Sequence, residues 1–252
     1  MARPRIGPDA LRWALVAVFI TALEALSRAG ALPPLVIPAP SNVARALLKI
    51  LPTAQFAQDF ERTIIEVVVS CALGIAVGLL LGTLGWRYGL LADAVEPYLV
   101  AMYAMPTLVF YPILLALMGL SPGPIIVITT LMVIVPVALN TTAGLRSIPP
   151  VLHKLARSTQ ADTLTRMRKV LLPAAIPLVM PGIKLGVIYG MVAAIAMEFI
   201  LASRGLGYSI GYLYTGYRIT DMWAYIVVVM ALGMIVVALL GLLERRVRRD
   251  MA

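Results

Sequence analysis

The sequence is poor in the residue types that active sites are usually built from. Its 252 residues include one cysteine, Cys71, and one histidine, His153. A lone cysteine within an apolar run excludes a disulfide framework, and with a single histidine it leaves no metal-ligand cluster. Cys71 reads as a small buried hydrophobe. Charge is also scarce: Asp, Glu, Lys and Arg make up 13% of the chain, against about 25% in soluble domains. No Gly-x-x-x-x-Gly-Lys-Ser/Thr loop is present, so the chain has no phosphate cradle of its own. An intramembrane enzyme would need convergent Ser, His or Asp groups at membrane depth, and the one histidine lies in a polar stretch. No catalytic, cofactor-binding or metal-binding residue is therefore assigned.

What is abundant is apolar surface. Hydrophobic residues make up 61% of the chain and the mean hydropathy is +0.95, values of an integral membrane protein. The pattern predicts an all-α membrane protein with a single transmembrane domain over 1–252. Six spans are expected, at about 12–28, 63–86, 90–120, 124–145, 178–202 and 222–243. The net charge of +9 raises the question of nucleic acid. Its distribution answers it. With both termini cytoplasmic, about fourteen Lys and Arg fall inside and about six outside, which is the positive-inside bias of a membrane protein. The N-terminal arginines, the run from Trp13 to Leu26 and Ala29-Gly30-Ala31 also suit a signal peptide. Glu24 and Arg28 between run and site favour an uncleaved first span.

Between the first two spans, Pro33, Pro34, Pro38 and Pro40 forbid a continuous helix. Ser41 is expected to cap a short amphipathic helix through Val43, Leu47, Leu48 and Leu51. The second span carries Gly74, Gly78 and Gly82 on one face, a stripe that lets another backbone come close. Glu66 is expected at the interface. Pro106, Tyr111, Pro112, Pro136, Asn140 and Thr141 point to a pathway, because prolines and hydroxyls inside spans need neighbouring helices or water to satisfy the backbone. In the fifth span, Lys184 and Glu198 should each lie near an interface or face protein. Tyr208, Tyr212, Tyr214 and Tyr217 read as interfacial anchors.

The longest polar interruption is 146–177. Val151, Leu152, Leu155 and Ala156 fall on one face of a short helix, with His153, Lys154 and Arg157 on the other. Asp162 can cap a second helix with a stripe of Leu164, Met167 and Leu171 beside Arg166, Arg168 and Lys169. The natural reading of the pattern is a pair of short surface helices.

This stretch resembles the EAA loop of bacterial ABC importer permeases. Lys154-Leu155-Ala156-Arg157-Ser158 stands where the family has EAA-R-S, and Val170-Leu171-Leu172-Pro173 matches the loop's end. Lys154 replaces the family's glutamate, and Gln160 its glycine. The likeness extends over nearly the whole chain. Pro38-Ala39-Pro40-Ser41, Pro106 and Pro112, Asn140-Thr141-Thr142-Ala143-Gly144, and Glu198 followed by Gly205-Leu206-Gly207 resemble the nitrate, sulfonate and taurine branch.

The resemblance implies a type I importer permease fold in the bacterial inner membrane. It implies a second permease subunit, most simply another copy, a periplasmic or lipid-anchored substrate-binding protein, and a cytoplasmic ABC ATPase dimer that holds ATP and Mg. It places coupling to that ATPase on Val151, Leu152, Leu155, Ala156, Arg157, Ser158, Gln160, Ala161 and Arg166. Pro106, Tyr111, Asn140, Thr141 and Glu198 become pathway or gate residues. A secondary transporter is the rival reading; no inverted repeat is evident and no mid-span carboxylate pair is read for a coupling proton. No residue set forms a legible anion site, so the substrate stays open within small anions such as sulfonates, taurine and nitrate.

Overall fold

The computed structural model describes residues 8–33, 35–149, 151 and 172–249. Their regular structure is entirely helical: α1 (Pro8–Arg28), α2 (Pro40–Ile50), α3 (Ala54–Arg87), α4 (Gly89–Ala104), α5 (Tyr111–Met118), α6 (Gly123–Arg146), α7 (Leu172–Leu201), α8 (Leu206–Thr215) and α9 (Ile219–Arg249). Five of these are long and apolar enough to cross a membrane, and six crossings result if α4 and the segment Thr107–Met118, bent by 91° to each other, count as one. The break falls at Met105, whose ψ of 138° is extended. Pro106 follows it, and the ring of a proline pushes the preceding residue out of the helical region.

Helix α3 begins at Ala54, well before the hydrophobic run that starts near Thr63. Thr53 caps it by accepting the Phe56 N–H at 3.2 Å. Three turns of α3 therefore precede Glu66, which is fully buried. The start of α2 differs from expectation in a similar way. Ser41 makes no cap of its own; its N–H and hydroxyl both donate to Glu24 of α1, at 2.9 and 2.7 Å, and Arg28 donates to the same carboxylate at 2.5 Å. An acceptor from another helix satisfies a first-turn amide of α2. Val43 and Ala46 then pack against Ala224 of α9, and Trp223 donates its indole N–H to the Val36 carbonyl at 3.0 Å.

The centre of the bundle is α6. Val133 and Val137 are fully buried because α3 and α7 grip them from two sides. On α3, a Cβ at Gly74 would lie 2.5 Å from Val133 Cβ, one at Gly78 2.7 Å from Val137 Cβ, and one at Gly82 2.5 Å from Thr141 Cβ. On α7, Gly182, Gly186 and Gly190 form a second stripe with the same four-residue spacing. A Cβ at Gly190 would stand 2.6 Å from Val133 Cγ2, and one at Gly182 2.9 Å from the Pro136 carbonyl. Both approaches bring backbone to within contact of the α6 surface, where lipid gives little drive for association and packing has to supply it.

Forcing a side chain into this contact costs about 1 to 3 kcal/mol or more, as overpacking does in cores. Gly78→Leu is expected to lower the apparent melting temperature of the detergent-purified protein clearly. Gly89→Leu, where nothing lies within 4 Å of the added Cβ, is expected to leave it nearly unchanged.

Candidate functional site

The chain turns sharply between α7 and α8, and the turn is buried. Backbone N–H groups at a helix start have no partner within the helix. Here three successive ones are met by side chains distant in sequence. Gly205 N–H donates to Asp59 Oδ1 at 3.1 Å, Leu206 N–H to Thr63 Oγ1 at 2.9 Å and Gly207 N–H to Glu198 Oε2 at 2.8 Å. The Thr63 hydroxyl donates in turn to the Glu198 carboxylate, at 2.7 and 2.9 Å to its two oxygens. Ser209, in the first turn of α8, donates to Asp59 Oδ2 at 2.6 Å, and the Gln55 amide donates to both Asp59 oxygens. Two carboxylates thus face the positive end of a helix dipole, where negative charge is stabilised.

Glycine is required at this turn. Gly205 has φ of +120°, a conformation that side chains rarely adopt, and a Cβ there would run into the Glu198 carboxylate. Gly207 and Gly211 let α8 lie directly against the backbone of Ile195 and Phe199 on α7. Arg62 pairs with Glu66 beneath the turn, and Asp59, Thr63, Glu66 and Glu198 are all fully buried. Glu66 and Glu198 are thus two buried carboxylates at the α8 end of the bundle, Glu198 three residues before α7 ends at Leu201.

The five pathway residues do not converge on one place. Pro106 is exposed at the break between α4 and α5. Tyr111 is buried and donates its hydroxyl to the Leu201 carbonyl at 3.0 Å, tying α5 to the end of α7 that carries Glu198. Asn140 and Thr141 lie toward the opposite end of α6. Asn140 donates its side-chain N–H to the Pro136 carbonyl at 2.8 Å and lines a cavity of about 420 Å³ between α3, α4 and α6, together with Glu96, Thr142 and Arg146. Arg146 also pairs with Asp93 at 3.6 Å. Thr141 is buried against Gly82 and borders a separate apolar cavity of about 290 Å³ between α3, α6 and α7. Tyr208 and Tyr212 do more than anchor: with Tyr225, Ser209, Arg218 and Asp221 they line a polar cleft of about 470 Å³ at the α8 end. Lys184 reaches Glu244 of α9 at 3.8 Å.

Of the coupling residues, Leu152, Leu155, Ala156, Arg157, Ser158, Gln160, Ala161 and Arg166 lie outside the described residues. Val151 is described and is exposed. The residues that bracket this stretch are packed together. Leu145 and Ile148 on one side of it, and Ala175 and Val179 on the other, form one buried cluster with Trp86 and Leu79 of α3. The described residues on the two sides of the stretch thus meet at one place.

Residues 74–249 match the family model described as binding-protein-dependent transport system inner membrane component. The chain belongs to this family. It is an inner-membrane permease of the ABC importers, a transport subunit of multi-pass helical architecture. The nitrate import permease protein NrtB of Leptolyngbya laminosa is 28% identical over 196 residues, 78% of this chain and 69% of the relative. The taurine transport system permease protein TauC of Escherichia coli (strain K12) is 27% identical over 204 residues, 77% of this chain and 73% of the relative. Among solved structures, the inward-facing MetNI methionine ABC transporter aligns with a TM-score of 0.64 at 25% identity, covering 74% of this permease and 93% of that chain. Membership of this family is what separates the permease from a secondary transporter.

The capped turn makes a quantitative demand. Glu198→Ala would strip the Gly207 N–H and the Thr63 hydroxyl of their acceptor inside the bundle, at about 1 to 3 kcal/mol for each buried group left unpaired. We expect a lower melting temperature and faster proteolysis between Leu201 and Leu206. Glu61→Ala on the exposed face of α3 is expected to change neither.

Proposed function

We propose that this permease forms, with a second copy of itself, the translocation pathway for a small anion of the sulfonate, taurine or nitrate class. A cytoplasmic ABC ATPase dimer carrying ATP and Mg docks on 146–177 and drives it, and a periplasmic or lipid-anchored binding protein delivers the substrate. The supporting observation is the cluster of Leu145, Ile148, Ala175 and Val179. It seats both sides of the coupling stretch on the bundle's central helices, so a push on that stretch is delivered to α6 and α7 together.

The apolar face of Val151, Leu152, Leu155 and Ala156 fills a groove on the ATPase, the way amphipathic helices generally engage grooves. Arg157 and Arg166 supply contacts at the rim. Ser158, Gln160 and Ala161 form the turn between the half-helices. Closure of the ATPase pair moves these helices as rigid bodies and switches the pathway between inward-open and outward-open. Asn140 and Thr142 supply polar lining to the cavity beside α4, and Arg146 at its rim is the basic residue among the described lining. The anion class rests on the substrates for which the curated relatives are named, nitrate and taurine.

Reconstitution tests the proposal. In vesicles holding the permease, its ATPase and its binding protein, one of these anions is expected to stimulate ATP hydrolysis and to accumulate. Leu155→Asp is expected to abolish ATPase copurification and stimulation, and Tyr212→Ala to preserve copurification. Full stimulation with Leu155→Asp would remove the dock from the proposal. Uptake driven by a proton gradient in vesicles with this chain alone would overturn it altogether.

A further inference from the structure

The buried pair beneath α8 holds one polar atom that the capping network leaves unmet, and it points to a ligand independent of the transport reading above. Glu66 is fully buried. Its Oε1 pairs with Arg62, while its Oε2 has no hydrogen-bond partner. Glu198 of α7 is fully buried beside it, because Thr63, one turn before Glu66 on α3, donates to the Glu198 carboxylate. Glu198 also accepts from the Gly207 N–H. Thr63 and Glu66 lie on the same face of α3, so the hydroxyl and the carboxyl face the same group on α7.

An ionised carboxylate has only acceptors, so two of them together offer no hydrogen to share. Like charges buried side by side oppose each other, whereas a single proton turns one member into a donor and removes the repulsion. The surrounding groups do not resolve the conflict in another way. On α3, Arg62 is committed to Glu66, and Asp59 is filled by Gly205, Ser209 and Gln55. From α8 come N–H groups and the Ser209 hydroxyl. Tyr225 and Asp221 of α9, with Arg218 just before that helix, stand on the Asp59 side, across the polar cleft that Ser209 lines. The facing part of α6 is uncharged: Ser70 of α3 donates to the Ile126 carbonyl there. Among the described residues no group of three or more His, Cys, Asp or Glu side chains is arranged to hold a metal ion.

We propose that Glu66 and Glu198 bind one proton between them, and that this shared proton fastens α3 to α7 directly under the start of α8. The ligand is a hydron held by two carboxyl oxygens, and the site is complete within one chain.

Infrared spectroscopy of the full-length protein in lipid nanodiscs at neutral pH tests this. The expected result is a carbonyl band of a protonated carboxylic acid that shifts in D₂O. The band should be lost in Glu66→Gln and in Glu198→Gln, and kept in Glu61→Gln on the exposed face of α3. A band lost in only one of the two variants places the proton on that residue alone and overturns the sharing. The amide of Glu66→Gln can donate where the proton did, so its melting temperature should stay close to wild type while Glu66→Ala falls well below it. A wild-type spectrum without the band overturns the proposal and leaves a water or two ionised carboxylates in the site. A band that survives both glutamine substitutions overturns it equally, by placing the proton elsewhere.

Discussion

A bundle in lipid cannot rely on the hydrophobic effect to bring its helices together, because the solvent around them is as apolar as their side chains. Close backbone approach has to provide the attraction, and in this permease it is concentrated on α6. Two glycine stripes, one on α3 and one on α7, close on the same pair of valines, Val133 and Val137. Together they fix the relative height and rotation of three helices, which form one column.

The column explains why four charged or hydroxylated groups can sit fully buried at its α8 end. Inside a membrane each backbone amide needs a partner from the protein itself. The turn into α8 exposes three such amides at once, and Asp59, Thr63 and Glu198 are delivered to them because α3 and α7 are already locked in register. The cap is also a joint: it commits α8 to both helices, so that α8 cannot tilt away from one without losing hydrogen bonds to the other. The opposite end is organised by packing, through Leu145, Ile148, Ala175, Val179 and Trp86.

Much of this was legible in the residues. Apolar run lengths gave an all-helical membrane protein, and Gly74, Gly78 and Gly82 marked a contact face. Gly182, Gly186 and Gly190 carry the same signal at the same spacing. A stripe names a face without naming its partner, so the convergence of both on Val133 is not legible in the sequence. Hydropathy dates the second span from Thr63, whereas helical hydrogen bonding begins at Ala54 under a Thr53 cap, so the burial of Glu66 beneath α8 is not legible either. The cap from Glu24 onto Ser41 and the link from Thr63 to Glu198 join residues far apart in sequence. Propensity and periodicity are silent on such pairs. Glu198 followed by Gly205-Leu206-Gly207 did carry a hint, since glycines two apart next to an acid suit a tight turn that a carboxylate can enter.

The contacts are distributed unevenly. Helices α3, α6 and α7 share buried side chains, whereas α4 and Thr107–Met118 are bent by 91° at Met105 and Pro106, and much of α4 and α5 is exposed. Tyr111 ties α5 to the column through its hydrogen bond to Leu201 and a buried cluster with Ile125, Ile128 and Met197. The rigid-body switch proposed above needs one body that moves as a unit and another that can change its angle to it. In that proposal the packed column of α3, α6 and α7 is the first, and the bent pair, whose helical ladder Pro106 interrupts, is the second. The cavity lined by Asn140, Glu96 and Arg146 lies between α4 and the α3 and α6 members of the column, so a change of angle at the bend would alter its shape first.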